Sequence, residues 1–84
     1  MKRVLVVESN TDLLRDRCAD LEENDHGVTS ARSVSEARRL LATRPFDVII
    51  ANAELNDGSG WALIQEARAR AIDYMIVQNA EFVG

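Results

Sequence analysis

Three short apolar runs constrain the fold of this chain more than any other feature of its sequence. They occupy residues 4–7, 48–51 and 75–77, and they are nearly continuous and rich in β-branched side chains. A strand with this pattern is buried on both faces, which is typical of a parallel sheet covered by helices. The runs at residues 4–7 and 48–51 therefore predict doubly covered strands of an α/β domain, and the run at residues 75–77 predicts a further strand.

Amphipathic segments between these runs predict helices. Apolar side chains recur near helical spacing over residues 13–21, and charged side chains fill the positions between them. Ser33 and Glu36 form a capping-box pattern ahead of a second helix, which Pro45 should end. A third helix is expected over residues 60–70.

The elements follow one another in the order β-α-β-α-β-α-β. A short and less buried strand is expected over residues 28–31, and residues 52–60 are expected to form a loop because they hold Asn, Asp, Gly and Ser. Strands that alternate with helices favour right-handed crossovers and a doubly wound parallel sheet. Ligands in such sheets bind at the carboxyl ends of the strands, near the switch in strand order.

Length, charge and cysteine content exclude several classes of protein. A chain of 84 residues allows one small domain. Cys18 and His26 are its only cysteine and histidine, so neither an intramolecular disulfide nor the usual zinc site is expected. A net charge of −4 argues against binding to nucleic acid or to an anionic membrane. The apolar run at residues 4–7 is too short for a signal peptide or a membrane span, so a cytoplasmic location is expected.

The familiar motifs of nucleotide and ester chemistry do not fit the loops. Residues 8–11 follow the first strand without a glycine, which disfavours a dinucleotide site. Residues 57–60 match neither that fingerprint nor a P-loop, and Ser59 lacks a nucleophile-elbow motif. Ser59 is better interpreted as a helix cap, which leaves the polar residues at the strand ends as the candidate site.

Three segments resemble the receiver domain of bacterial two-component response regulators. VLVVESNTDLL at residues 4–14 is similar to the family's first strand and acidic turn, and RPFDVIIANAELNDGSGW at residues 44–61 to its third strand and phosphoacceptor loop. MIVQNA at residues 75–80 resembles the fourth strand. The resemblance covers almost the whole chain and implies a flavodoxin-like, CheY-like fold. It also implies that residues 1–84 form a receiver-like domain without the family's last strand, helices and conserved lysine.

The resemblance assigns a role to each polar residue at the strand ends, and several residues depart from it. Glu8 matches the first of two metal-binding acids, and Ser9 stands where the second would be. Asn52 stands where the phosphoacceptor aspartate would be, and Glu54 where a backbone carbonyl holds Mg²⁺. Asn79 replaces the hydroxyl residue that contacts the phosphoryl group. The resemblance thus implies a degenerate phosphorylation pocket formed by Glu8, Ser9, Asn52 and Asn79, with no catalytic residue.

The chemistry of these departures predicts a receiver that does not accept a phosphoryl group. The nitrogen lone pair of Asn52 is delocalised into its carbonyl, so this amide is not a competent nucleophile. Asn52 is then either a loop residue that binds nearby backbone or a mimic of one fixed signalling state. No cofactor is expected, because one matching acid is little for Mg²⁺. Weak binding to Glu8 and Glu54 is the alternative to a solvated Glu8.

The predicted function is a phosphorylation-independent signalling module that is not an enzyme and acts by protein contact. The alternative is a true phosphoacceptor that uses Asp57 or Glu54 as a substitute carboxylate. The partner would be a protein or a C-terminal output domain, and a homodimer or strand exchange is also considered, because the strand at residues 75–77 would be a sheet edge. Trp61 is expected to pack inward rather than to anchor a partner.

Overall fold

The computed structural model describes residues 1–78 and contains one four-stranded parallel sheet. Its strands have the order β2-β1-β3-β6, and a two-stranded antiparallel ribbon pairs β4 with β5. The strands are β1 (Arg3–Val7), β2 (Gly27–Ala31), β3 (Val48–Asn52), β4 (Glu54–Leu55), β5 (Gly58–Ser59) and β6 (Asp73–Val77). The doubly wound α/β fold predicted from the apolar runs is confirmed.

The helical segments lie between the strands. They are α1 (Thr11–Glu23), α2 (Val34–Thr43), a 3-10 turn (Gly60–Leu63) and α3 (Ile64–Ala69). Asn10 caps α1, since its side-chain oxygen accepts from the amides of Asp12 and Leu13. Within residues 1–78, no helix combines the length and the apolar character needed to cross a bilayer.

The capping box at the start of α2 is formed in part. The Ser33 hydroxyl oxygen accepts from the amide of Glu36 at 3.1 Å, as predicted. The Glu36 carboxylate, however, accepts from the amide of Arg32 at 2.7 Å, one residue before the cap. The same box therefore also holds the end of the loop that leads from β2.

The order in which strands are added to the sheet reverses between β1 and β3. From β1 the chain crosses to β2 on one side, and later returns to β3 on the other side. The pairs Val7↔Ala31 and Val7↔Ala51 bring the carboxyl ends of all three strands to one edge of the sheet. This is the edge at which parallel α/β sheets bind ligands.

The core lies on both faces of the central strands. Leu5 and Val7 face α2 and α3, while Val4 and Val6 face α1 in a second, smaller cluster around Leu14. All four strand residues are almost inaccessible to solvent. A fully buried aliphatic side chain contributes about 1.5–3 kcal/mol, so β1 fixes the ends of its neighbours firmly.

The structure differs from the sequence expectations in the segment after β3. The expected loop at residues 52–60 contains the β4–β5 ribbon, and the third helix begins as a 3-10 turn. The prediction that Trp61 packs inward is wrong, because its side chain is 53% exposed. Leu63 and Ala67 already occupy the inward positions of this short helical segment, which leaves Trp61 on the outside.

Candidate functional site

Two polar residues lie buried side by side at the carboxyl edge of the sheet. Glu8 follows β1 directly and Asn52 ends β3, and the pairing of Val7 with Ala51 places the two residues in adjacent strands. Each is only 2% exposed, and they are the two buried polar residues among residues 1–78. Burial of a carboxylate and an amide is costly unless hydrogen bonds satisfy them, so their partners define the site.

The Glu8 carboxylate is surrounded by hydrogen-bond donors. Its Oε1 accepts from Nη1 of Arg17 at 2.7 Å and from Nδ2 of Asn52 at 2.8 Å. Its Oε2 accepts from the backbone amide of Asn10 at 3.2 Å. The expectation of a solvated Glu8 is therefore wrong. The residue is buried because a cation and two N–H groups replace the water that it loses.

Arg17 also belongs to the candidate site, although the sequence patterns did not single it out. It lies on α1, and its side chain is only 22% exposed because the guanidinium reaches back to Glu8. A signal for it exists in the sequence, since Arg17 follows Leu14 by three residues and precedes Leu21 by four. A charged residue at these spacings lies on the apolar stripe of the helix and needs a buried partner.

The Asn52 side chain uses both ends of its amide. While Nδ2 donates to Glu8, Oδ1 accepts from the backbone amide of Glu54 at 2.9 Å. The carboxylate can only accept and the backbone N–H can only donate, so these partners fix the orientation of the amide. Asn52 therefore does bond to nearby backbone, as one interpretation of its sequence predicts, and it also stabilises the buried Glu8.

Gly60 allows the chain to return close to Asn52. A Cβ atom at this position would collide with the Asn52 carbonyl oxygen and would also crowd the Ala51 side chain. The Gly60 amide donates to the Ala53 carbonyl at 3.1 Å, which closes the β4–β5 ribbon over the end of β3. The glycine thus brings the 3-10 turn directly against the backbone of the site.

Ser9 fastens three neighbouring loops together. Its hydroxyl donates to the carbonyl of Arg32, after β2, at 2.8 Å and accepts from the amide of Asn56, in the ribbon turn, at 3.0 Å. The residue that stands at the position of a second metal-binding acid is thus engaged in holding the rim of the pocket.

Asp57 lies in the turn between β4 and β5, and its carboxylate contacts the beginning of α2 rather than the pocket. Its carboxylate accepts from the amides of Val34 at 2.7 Å and of Ser35 at 3.1 Å. These two amides hold the pKa of Asp57 below the usual value for an aspartate. The side chain thereby supplies acceptors for the N-terminal amides of α2, alongside the Ser33 cap.

A surface pocket of about 440 Å³ opens over Glu8 and Asn52. Glu54 is the other acid in its lining, and its residue is exposed. Within residues 1–78, no cluster of three or more His, Cys, Asp or Glu side chains could hold a metal ion. Asn79, the fourth residue of the predicted pocket, lies outside the described residues. The residues that line the pocket are Glu8, Ser9, Asn10, Asn52, Glu54, Leu55 and Asn56.

Comparison with known proteins finds relatives among response regulators. The chain is 36% identical over 69 residues to the response regulator protein PilR of Pseudomonas aeruginosa, and the match covers 82% of this chain and 16% of PilR. It is 32% identical over 76 residues to the acid tolerance regulatory protein ActR of Rhizobium meliloti, covering 90% of this chain and 39% of ActR. The chain thus spans well under half of these relatives. No family model matches the sequence.

Solved structures show the same fold. The non-phosphorylated HemR receiver domain from Leptospira biflexa superimposes with a TM-score of 0.84 at 25% identity. The match covers 93% of this chain and 64% of the HemR chain. The receiver architecture therefore extends over nearly all of the sequence, including the edge of the sheet that carries Glu8 and Asn52.

Proposed function

Because the chain belongs to the receiver domain family of two-component response regulators, we propose that it is a signalling module that works without phosphorylation, through protein contact. The observation that carries the proposal is the hydrogen bond from the Asn52 amide to the buried Glu8 carboxylate. Asn52 stands where the resemblance puts a phosphoacceptor aspartate, and its side chain there is an amide that donates to Glu8.

The chemistry of Asn52 supports this proposal. In a receiver, a carboxylate oxygen attacks phosphorus and forms an acyl phosphate. The Asn52 nitrogen is a poor nucleophile because its lone pair is delocalised, and its oxygen accepts from the amide of Glu54. The proposal therefore includes no catalytic residue and no enzymatic step on this chain.

The positions of the two substitute acids also favour the phosphorylation-independent function. Asp57 is engaged by two backbone amides at the start of α2, and it does not line the pocket over Asn52. Glu54 lines the pocket and is exposed, so it is the stronger of the two alternatives. A phosphoacceptor function would thus have to use Glu54, which lies in the β4–β5 ribbon.

The test is incubation with acetyl phosphate and Mg²⁺, followed by measurement of the intact mass. We expect the mass to remain unchanged, while a receiver with an intact aspartate gains one phosphoryl group under the same conditions. A gain of one phosphoryl group would overturn the proposal. Loss of that gain in Glu54→Gln, and its persistence in Asp57→Asn, would assign the phosphorylation to Glu54.

The exposed aromatic side chains indicate where a protein partner could contact this module. Trp61 is 53% exposed, and the Arg68 guanidinium lies over the Tyr74 ring, 6.0 Å from its centroid. Trp, Tyr and Arg are the residues that most often dominate binding energy at protein interfaces. We propose that the exposed side chains of the 3-10 turn, α3 and β6 contact a partner protein or an output domain.

Self-association is a second candidate for the contact. Within residues 1–78, β6 pairs only with β3, and Met75 in this strand is 57% exposed. An unpaired strand edge with an exposed apolar side chain favours strand pairing with a second copy. Sizing chromatography with light scattering tests this: a dimer that Met75→Lys dissociates supports it, and a stable monomer contradicts it. The cytoplasmic location expected from the short apolar run at residues 4–7 stays a prediction.

A further inference from the structure

We infer that the Arg17 guanidinium takes the place of a divalent cation in this pocket, so that the chain neutralises Glu8 itself and does not take up Mg²⁺ there. The inference deepens the proposed function and rests on it, since a pocket without phosphoryl chemistry has no step for a metal to assist. Arg17 is accordingly the residue that positions Glu8.

The oxygen atoms around the pocket do not fit Mg²⁺. This ion needs near-octahedral oxygen ligands at about 2.0–2.1 Å, usually including one or two carboxylates. Oε1 of Glu8 already accepts from Arg17 and Asn52, and Oε2 accepts from the Asn10 amide. Three of the roughly four acceptor sites of this carboxylate thus already accept from N–H groups.

The side-chain oxygens of Asn52 and Ser9 are also engaged in hydrogen bonds. Oδ1 of Asn52 accepts from the Glu54 amide, and the Ser9 hydroxyl bridges Arg32 and Asn56. Glu54 alone would offer a carboxylate, from an exposed position on the rim. One available carboxylate is a weak donor set for an ion that is reluctant to lose its water.

The charge balance of the site points the same way. Glu8 carries one negative charge and is 2% exposed, and Arg17 supplies one positive charge at 2.7 Å. A metal at Glu8 would have to displace the guanidinium or lie beside it, and two cations at one carboxylate repel each other. A tethered guanidinium is always protonated and always present, so the charge of the pocket is independent of the Mg²⁺ concentration.

The experiment compares the wild-type domain with Arg17→Gln, Arg17→Lys and the matched control Arg15→Gln. Arg15 lies on the exposed side of the same helix. Mn²⁺ serves as the probe, because it broadens the nuclear magnetic resonance signals of nearby amides. Titration calorimetry and thermal unfolding with and without Mn²⁺ complete the set.

We expect no saturable broadening at the Glu8 and Asn10 amides in the wild type, in Arg15→Gln or in Arg17→Lys, and no shift of their melting temperature with Mn²⁺. Arg17→Gln leaves the Glu8 carboxylate without its cation. This variant should melt at a lower temperature, bind Mn²⁺ at the pocket and regain part of the lost stability when Mn²⁺ is present. Saturable Mn²⁺ binding at Glu8 in the wild type would overturn the inference, as would a folded Arg17→Gln that gains no affinity.

A double variant covers the case in which Arg17→Gln does not fold. Glu8→Gln combined with Arg17→Gln removes both charges, so it should melt at a higher temperature than Arg17→Gln alone. A double variant no more stable than Arg17→Gln would show that the pair is not coupled and would overturn the inference. The Mn²⁺ test and the acetyl phosphate test can fail independently. Mn²⁺ binding at Glu8 in the unphosphorylated wild type would contradict only the role of Arg17. Phosphorylation of the wild type would contradict the proposed function.

Discussion

Replacement of Asn52 by aspartate is the most informative single change, because it restores the family's acceptor in a pocket arranged for an amide. In the wild type, Nδ2 of Asn52 lies 2.8 Å from Oε1 of Glu8 and donates to it. Asn52→Asp puts a carboxylate oxygen at that point, so two acceptors face each other and the hydrogen bond is lost.

The magnitude follows from the distance between the two groups. At 2.8 Å, two full negative charges repel by about 6 kcal/mol for an effective dielectric constant of about 20. Protonation of one carboxyl with an ordinary pKa near 4 costs only about 4 kcal/mol at pH 7 and restores a hydrogen bond. Protonation of one carboxyl therefore limits the cost to about 4 kcal/mol, and attraction of the new carboxylate to Arg17 reduces the repulsion within the ionised pair. We expect Asn52→Asp to lower the free energy of unfolding by roughly 2–4 kcal/mol at pH 7.

The loss of stability caused by Asn52→Asp should depend on pH. In Asn52→Asp, the carboxyl that binds the proton has a pKa raised by folding, so the loss of stability is largest above that raised pKa and shrinks steadily as the pH falls below it. It disappears as the pH falls toward the ordinary value near 4, where the unfolded chain is protonated as well. Urea denaturation of wild type and variant at a series of pH values measures the difference. A variant as stable as the wild type at pH 7, or a difference independent of pH, would refute the reasoning.

The same variant tests the remainder of the pocket. Ser9 is engaged with the loops and Arg17 occupies the position of the cation, so restoring the nucleophile alone leaves the site incomplete. We expect little or no labelling of Asn52→Asp by acetyl phosphate. Robust labelling would show that the pocket retains more phosphoryl chemistry than its contacts suggest.

Three further predictions concern residues around the site. Asp57→Asn should destabilise the domain at neutral pH, and because folding lowers the pKa of Asp57, its stabilising effect is lost as the pH falls below about 4, so thermal unfolding of variant and wild type should converge in acid. Gly60→Ala should cost about 1–3 kcal/mol in urea denaturation, because the new Cβ meets the carbonyl oxygen of Asn52. Gly27→Ala is the control, since its Cβ meets nothing closer than a carbonyl oxygen at 3.9 Å, and equal costs for the two variants would contradict the packing argument. Trp61, the single tryptophan, should fluoresce at long wavelength and be quenched by acrylamide in the native state, and a blue-shifted emission would show that it is buried.

Local sequence patterns are sufficient to predict the layers of this fold. The apolar runs that became β1 and β3 are long enough and continuous enough that only a doubly covered sheet buries them. The end of α2 before Pro45 and its start at Ser33 depend on neighbouring residues, so they too could be predicted. These features are local, and the hydrophobic effect acts on them in almost any context.

The state of the candidate site, by contrast, depends on contacts between segments that are distant in the chain. Glu8 and Asn52 are 44 residues apart in the chain, and the parallel register of β1 with β3 makes them neighbours. Whether a carboxylate at a strand end is solvated or buried depends on what the next helix presents to it, and α1 presents Arg17. Asp57 likewise could not be placed from its loop, because its partners are the first amides of α2. Hydrogen bonds and ion pairs of this kind depend on distances of tenths of an ångström between distant segments, which local sequence patterns do not specify.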